Sequence, residues 1–527
     1  MKKIVRLLVA LMAALCFSSG LLQTAHVVAQ DEVKDSLVLA IGSEPEEGFD
    51  PVTGWGRYGT PLFHSTLIKY GRDFKVVNDL AESYSVNDAQ TEWTFKIKEG
   101  ILFSDGSPLT VEDVKFTFDT VKEKSAHFNL EKVTAIDVKD GSVVFTLTEP
   151  DSTFLNTIST IGIFAQKHYG DKYGEEPIGT GPYQLVEWQK GEQLIVEQNP
   201  HYYGEASQFK KLTFLFLEED AALAAALTQE IDVVAISNTN ANVEVPNMTL
   251  HALQSVDNRG VALPYVPEEE IDGRKVGNNV TADKAIRQAM NIAINREEIA
   301  KQVLNGYGKP AYSVADHMPW WNEASVLADN DLDKAKEILE AGGWQLNADG
   351  ILEKDGLKAE FPLLYPSSDT TREALAHIFS ESVAPLGIKV NVEGKGWDQL
   401  EKEMYSNAML FGWGNNTPLE MYYLFSSSTK GYEYYNNNYY GNPKVDEYFK
   451  QALAATSEEE ANKYWQLAQW DGEAGFATSE GDVPWIWIVN LDHLYLVNDK
   501  LDIGEQRIQP HGHGWPLTEF LTEWKVK

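Results

Sequence analysis

The sequence predicts a protein of mixed α and β class, with more than one domain and the domains interwoven along the chain. Three observations lead there. At 527 residues the chain is longer than the roughly 100–200 residues of one ordinary domain. Strand-type and helix-type hydrophobic periods alternate irregularly over its whole length. No internal repeat, low-complexity tract or long linker separates those stretches. Hydrophobic residues make up 43%, enough for substantial cores.

Taken in order, the chain opens on a targeting segment. Lys2, Lys3 and Arg6 form a basic start, and an apolar stretch runs from Leu7 to about Leu22. Val27-Val28-Ala29 offers a cleavage site, so residues 1–29 read as a signal peptide and the mature chain as starting near Gln30. A lipid anchor on Cys16, the single cysteine, is the alternative; Leu15 stands where a lipobox wants a small residue. Cleavage after Ala29 leaves no cysteine for a disulfide, a thiolate metal site or a nucleophile. No later stretch is apolar enough over 18 residues to span a bilayer.

Leu37 to Ile41 is a short apolar run, read as a buried strand. The Gly- and Pro-rich stretch 42–59 reads as a loop. Trp93 to Lys98 alternates apolar and polar residues, as a half-buried strand does. Thr110 with Asp113 is a capping box ahead of a helix that carries Val111, Val114, Phe118 and Val121 on one face. Asp140-Gly141 sits between two strand-like runs and signals a hairpin. Ile286, Ala289, Met290 and Ala293 fall at helical spacing, and Asn295 with Glu298 forms a further cap. Leu332, Ala335, Ile338 and Leu339 mark another helix, closed by Gly342-Gly343.

Charge excludes some functions. Lys and Arg total 44 against 79 Asp and Glu, a formal net charge of −35. A nucleic-acid binder needs a basic face, and an anionic membrane repels such a surface. No H-E-x-x-H, G-x-S-x-G or Walker A pattern occurs. Asp329, Asp331 and Asp333 alternate, but the glycine and closing glutamate of a calcium loop are missing, so helix N-terminal charge explains them. A secreted hydrolase stays only as a distant alternative.

Several segments in order resemble one family. They begin with Asp79-Leu-Ala-Glu-Ser-Tyr84 and the run from Trp93 to Val114 with its Phe-Ser-Asp-Gly core. Ile178-Gly-Thr-Gly-Pro-Tyr183 and Asn199-Pro-His-Tyr-Tyr-Gly204 follow, then Leu227 to Asp232, Ala285 to Asn295, Phe411-Gly-Trp-Gly414 and Val483-Pro-Trp-Ile-Trp487. Together they resemble the bacterial extracellular solute-binding proteins of family 5, which serve peptide and nickel importers. The resemblance covers nearly all of residues 37–527. It implies a periplasmic-binding-protein-like fold of type II, with two α/β lobes, a hinge, and an extra domain inserted in the first lobe. On that basis lobe I spans 37–258 with the insertion at about 70–180, lobe II spans 259–489, and 490–527 return to lobe I. The blocks themselves read as scaffold: Asp105-Gly106 as a turn, Gly179 and Gly181 as tight backbone.

The resemblance also implies a function. The expected protein is an exported, periplasmic or envelope-associated monomer that captures cargo between its lobes and hands it to the permease and ATPase subunits of an ABC importer. It is not an enzyme and has no intrinsic cofactor. Peptide binders of the family often carry an Asp three residues after the tryptophan of the Phe411 block, to pair with the ligand's α-ammonium. Here that position is Asn416, which weakens the peptide reading, because a neutral acceptor gives up charge assistance. Pro510-His-Gly-His-Gly-Trp515 puts two imidazoles in a C-terminal loop, and neutral imidazole ligates nickel, copper and zinc. His511 and His513 are therefore the candidate metal ligands, with a nickel-histidine-type chelate as cargo and an oligopeptide as the alternative.

Other candidates line the expected cleft. Gly54-Trp-Gly-Arg-Tyr-Gly59 formally matches G-x-G-x-x-G, but Pro45 and Pro51 intervene where a dinucleotide site needs a strand. Read as a cleft loop, it offers Trp55, Arg57 and Tyr58, with Arg57 suited to a carboxylate. Arg259 is the second carboxylate candidate, and Trp413 a candidate cleft wall. Tyr432 to Tyr440 reads as a polar, aromatic loop near the cleft. His64, His317 and His493 read as structural.

Overall fold

The apolar run at the start of the chain becomes the strand Ser36–Ala40, and its side chains alternate between two cores. Leu37 and Leu39 join one, Val38 and Ala40 the other. A strand buried on both faces must be apolar throughout, which is why this one shows no polar alternation. The structure is a computed structural model, and it describes residues 34–527 apart from Glu46, Thr60, Pro61, Glu433 and 512–514. The proposed leader with Cys16, and His513, lie outside the described residues.

Eleven strands form one sheet through the molecule. Its middle is a pair of long antiparallel strands, Met248–Ala262 and Trp485–Asn498. On one side of the pair follow Val233–Ile236, Ser36–Ala40, Lys211–Leu215, Gln193–Gln198 and Tyr183–Gln189. On the other lie Ala408–Phe411, Glu360–Pro366 and Lys389–Lys395. The register between the long strands is broken between Gln254 and Asn258 and again between Arg259 and Gly260. The breaks divide the paired strands into two halves.

Both faces of the half that carries Ala408–Phe411, Glu360–Pro366 and Lys389–Lys395 are covered by helices. One face packs Ile286, Ala289 and Met290 of helix Lys284–Ala293 with Leu375 and Phe379 of helix Thr370–Val383. The other packs Leu400, Leu424, Phe449 and Trp465 from four further helices. A separate antiparallel sheet has the order Ala81–Val86, Glu92–Ile97, Ser142–Leu147, Val133–Lys139. Helix Val111–Lys124 covers it with Val114, Phe118 and Val121 over a core of its own. Among the described residues no helix is long and apolar enough to cross a membrane.

Local signals in the sequence are realised closely. Thr110 accepts from the Asp113 backbone N–H at 3.2 Å, and the Asp113 carboxylate accepts from Thr110 N–H at 2.9 Å. Thr110→Ala removes the cap and is expected to cost about 0.5–2 kcal/mol, read from urea unfolding. Asp140 and Gly141 take φ of 49° and 74° at the hairpin tip, as a tight turn between right-twisted strands requires. Gly179 is needed for closeness: a Cβ there would lie 2.1 Å from the Phe63 carbonyl oxygen.

The alternating aspartates part company. Asp331 caps helix Leu332–Ala341, accepting from Lys334 N–H at 2.9 Å, as helix-terminal charge should. Asp329 does not serve that helix; it pairs with the buried Arg296 at 2.5 Å.

Candidate functional site

A cavity of about 1210 Å³ opens between the N-terminal loop, residues 125–131 and residues between 413 and 435. Four sequence candidates line it: Arg57, Tyr58, Trp413 and Asn416. Asp50 and Pro51 start a short 3-10 turn that carries the loop to Arg57. Gly54 there has φ of 102°, and a Cβ would meet the His127 ring at 3.0 Å. The glycine serves a turn and a close approach, not a nucleotide, and no strand runs directly into it.

Arg57 lies over the Tyr58 ring at 4.7 Å and donates to His127 Nδ1 at 2.7 Å. It makes no ion pair among the described residues and lines the cavity. Trp55 is placed otherwise: it is 5% exposed, edge-on to Phe49 and Trp515 at 4.8 and 5.4 Å. It belongs to a buried core with Phe49, Phe63 and Trp515 and not to the cavity wall.

Arg259 also departs from expectation. Its guanidinium is buried and paired with Asp257 two residues earlier. Asp257 is the centre of a cluster at the break in register. It accepts from Arg259, from His493 Nε2 at 3.1 Å and from His511 Nδ1 at 2.5 Å. Burial pushes its carboxyl up, but Arg259 and the two imidazoles outweigh that and hold it well below the ordinary carboxylate value. His493, expected as structural, is thus a partner of this cluster.

His511 is the sequence candidate the cluster positions. Its backbone N–H donates to the Gly414 carbonyl at 2.7 Å, and its ring lies 6.4 Å from that of Tyr58. Burial, with Arg259 and Arg372, lowers its pKa against the opposing pull of Asp257. That direction favours the uncharged ring, which is the metal-ligating form. A carboxylate on Nδ1 fixes ring orientation and directs any coordination to Nε2. His511 is not among the residues that line the cavity.

One further residue was not foreseen. Glu420, 6% exposed, lines the cavity in helix Leu419–Phe425. It accepts from the backbone N–H groups of Gly414 at 3.3 Å and Asn415 at 3.1 Å. The aromatic loop does line the cavity, through Tyr432, Tyr434 and Tyr435. Tyr435 stacks on Trp413 at 4.3 Å. The loop is anchored by its asparagines: the side-chain amides of Asn436, Asn437 and Asn438 all donate to backbone carbonyls, at 2.9–3.1 Å. His64 is buried and meets the Tyr173 hydroxyl at 2.8 Å, a structural role.

Comparison with known proteins gives a family and a fold. The family model described as bacterial extracellular solute-binding proteins, family 5 (middle), matches residues 75–435. Protein XP55 of Streptomyces lividans is 31% identical over 489 residues, 89% of this chain and 86% of that protein. The oligopeptide-binding protein AppA of Bacillus subtilis is 28% identical over 438 residues, 77% of this chain and 78% of AppA. Among solved structures, NikZ from Campylobacter jejuni in complex with Ni(L-His) superposes with a TM-score of 0.81 at 24% identity, covering 93% of this chain and 99% of NikZ.

Proposed function

The chain belongs to the bacterial extracellular solute-binding proteins of family 5, and from that premise we propose that its cargo is a transition-metal chelate, nickel held by free histidine or a similar small chelator. Its membership makes it the substrate-binding component of an ABC importer for peptides or nickel chelates, a transport component and not an enzyme, without a cofactor of its own. Permease and ATPase subunits are its partners. The metal and the chelator are the part we infer.

The observation that carries the reading is the Asp257–His511 pair, an imidazole favoured in its uncharged form and oriented by a buried carboxylate. Among the described residues no group of three or more His, Cys, Asp or Glu side chains is placed to hold a metal ion. The chelator supplies most of the ligands on this reading, and His511, with His513 nearby in sequence, completes them. Arg57 takes a chelate carboxylate. We assign 37–258 and 490–527 to lobe I, 259–489 to lobe II and about 70–180 to the insertion, with removal of a leader near Ala29. The lobes close about residues 254–260, where the long strands lose register. A shift from mostly open to mostly closed needs about 5.5 kcal/mol of differential binding.

One observation favours a peptide. The cavity, about 1210 Å³, exceeds the roughly 300–1,000 Å³ of an ordinary small-molecule pocket. Thermal unfolding separates the readings. Nickel chloride with L-histidine, at 100 times its Kd, is expected to add about 2.7 kcal/mol of stability, while tri-alanine adds none. His511→Ala should remove the metal-dependent gain. Stabilisation by tri-alanine alone would replace the chelate with a peptide, and an unchanged gain in His511→Ala would reject the role of that imidazole.

A further inference from the structure

Ser152 is bonded to Ala452, 300 positions further along the chain. Its hydroxyl donates to the Ala452 carbonyl at 2.8 Å, and its backbone N–H donates to the Leu453 carbonyl at 2.9 Å. Both acceptors stand in the last turn of helix Pro443–Ala454, where carbonyls lack the partner that the next turn would supply. A small polar side chain with a free N–H beside it suits such a helix end.

Separate cores hold the two sides of this contact. Phe154 anchors the Ser152 turn in the core of the small antiparallel sheet. Asp151 fixes the turn by accepting from the N–H and the hydroxyl of Thr153, at 3.0 and 2.7 Å. Leu453 and Phe449 pack instead into the core on one face of the main sheet. The contact also lies beside the cavity. Asn156, Thr157, Ser159 and Thr160, just after Ser152, line it. Tyr422 and Tyr423 line it too, and Asp151 is near enough to Tyr423 for their charges to interact.

We propose that Ser152 and the end of helix Pro443–Ala454 form a latch across the rim of the cavity, which biases the protein toward its closed form. This rests on reading residues 37–258 and 259–489 as lobes that open about residues 254–260, since such opening separates Ser152 from the helix. On opening, both bonds exchange their partners for water, so each is worth only about fivefold in population. Turning a mostly open protein into a mostly closed one takes about 10⁴-fold. The latch therefore tunes closure and leaves control of it to the cargo.

The test uses the full chain with Cys16→Ser and spin labels on Lys139→Cys and Glu459→Cys, two exposed positions on either side of the contact. Ser152 is compared with Ser152→Thr, Ser152→Ala and Ser152→Asp, each shown to be folded by urea unfolding. Double electron–electron resonance reads the label distance without cargo, with nickel chloride and L-histidine, and with tri-alanine. Ser152→Ala is expected to raise the ratio of open to closed form about fivefold. Ser152→Asp should raise it more, because its carboxylate faces the negative end of a helix, and Ser152→Thr should leave it unchanged. A probe that binds is expected to bind more weakly in the same order, read by calorimetry. Coincident distances for wild type and Ser152→Asp under every condition overturn the latch. If a bound probe also leaves those distances unmoved, the reading of two closing lobes falls with it. Binding of neither probe sinks the cargo readings, while the cargo-free distances still decide the latch.

Discussion

Asp257→Ala is expected to lower the free energy of unfolding by about 3–5 kcal/mol, the usual consequence of removing one partner from a buried ion pair. The buried guanidinium of Arg259 would then face only the Asn258 carbonyl, at 2.8 Å, and His493 and His511 would lose their acceptor. The effect depends on pH with a defined sign. The folded-state carboxyl is held below its unfolded value, so its contribution is present above the unfolded pKa near about 4 and is lost as pH falls through the folded value. Urea unfolding at pH 7 and at pH 3 should therefore show the gap between wild type and variant narrowing in acid. A constant gap would mean that Asp257 acts by packing alone.

Arg296→Ala is expected to cost a similar amount, about 3–5 kcal/mol. The side chain is 1% exposed and holds five acceptors on four stretches of chain. Its Nε donates to the carbonyls of Ala311 at 2.9 Å and Trp487 at 2.7 Å. Its other nitrogens reach Asn291 twice, at 2.5 and 3.1 Å, and Asp329 at 2.5 Å. Truncation leaves the Asp329 carboxylate half-buried and unpaired. Arg296→Lys should recover little, because one ammonium cannot reproduce a planar fork directed at several carbonyls. Thermal midpoints of the three proteins check the order.

What was legible in the sequence follows from distance along the chain. Thr110 with Asp113, Asp140-Gly141 and Asn295 with Glu298 act within a few residues, and each is realised as a cap or a turn. The buried strand at the start and the helix Lys284–Ala293 followed from hydrophobic period. The fold class and family were carried by the order of blocks, and the comparisons agree with both. Arg57, Tyr58, Trp413 and Asn416, all from loops rich in Gly and aromatic residues, line the cavity.

The rest needed three dimensions. The cluster around Asp257 joins residues 257, 259, 493 and 511, and no local pattern announces a contact across more than 200 positions. One part was within reach: on a strand, residues i and i+2 share a face, so Asp257 was already the nearest carboxylate to Arg259. Trp55 was misplaced because a tryptophan in a polar loop looks exposed, whereas Trp515 folds back to enclose it. Glu420 carries no signal at all in a chain with 79 acidic residues; only its burial singles it out.

The position of Trp485–Asn498 has a consequence for how the protein is made. This strand lies in the middle of the main sheet, between Met248–Ala262 and Val233–Ile236, yet it follows both of them far along the chain. Until it arrives, neither half of the sheet can be completed, because pairings so distant in sequence must wait for both ends of the chain. A polypeptide built this way cannot close its main sheet without residues 485–498, so a chain truncated before Trp485 loses the strand that joins Met248–Ala262 to Val233–Ile236.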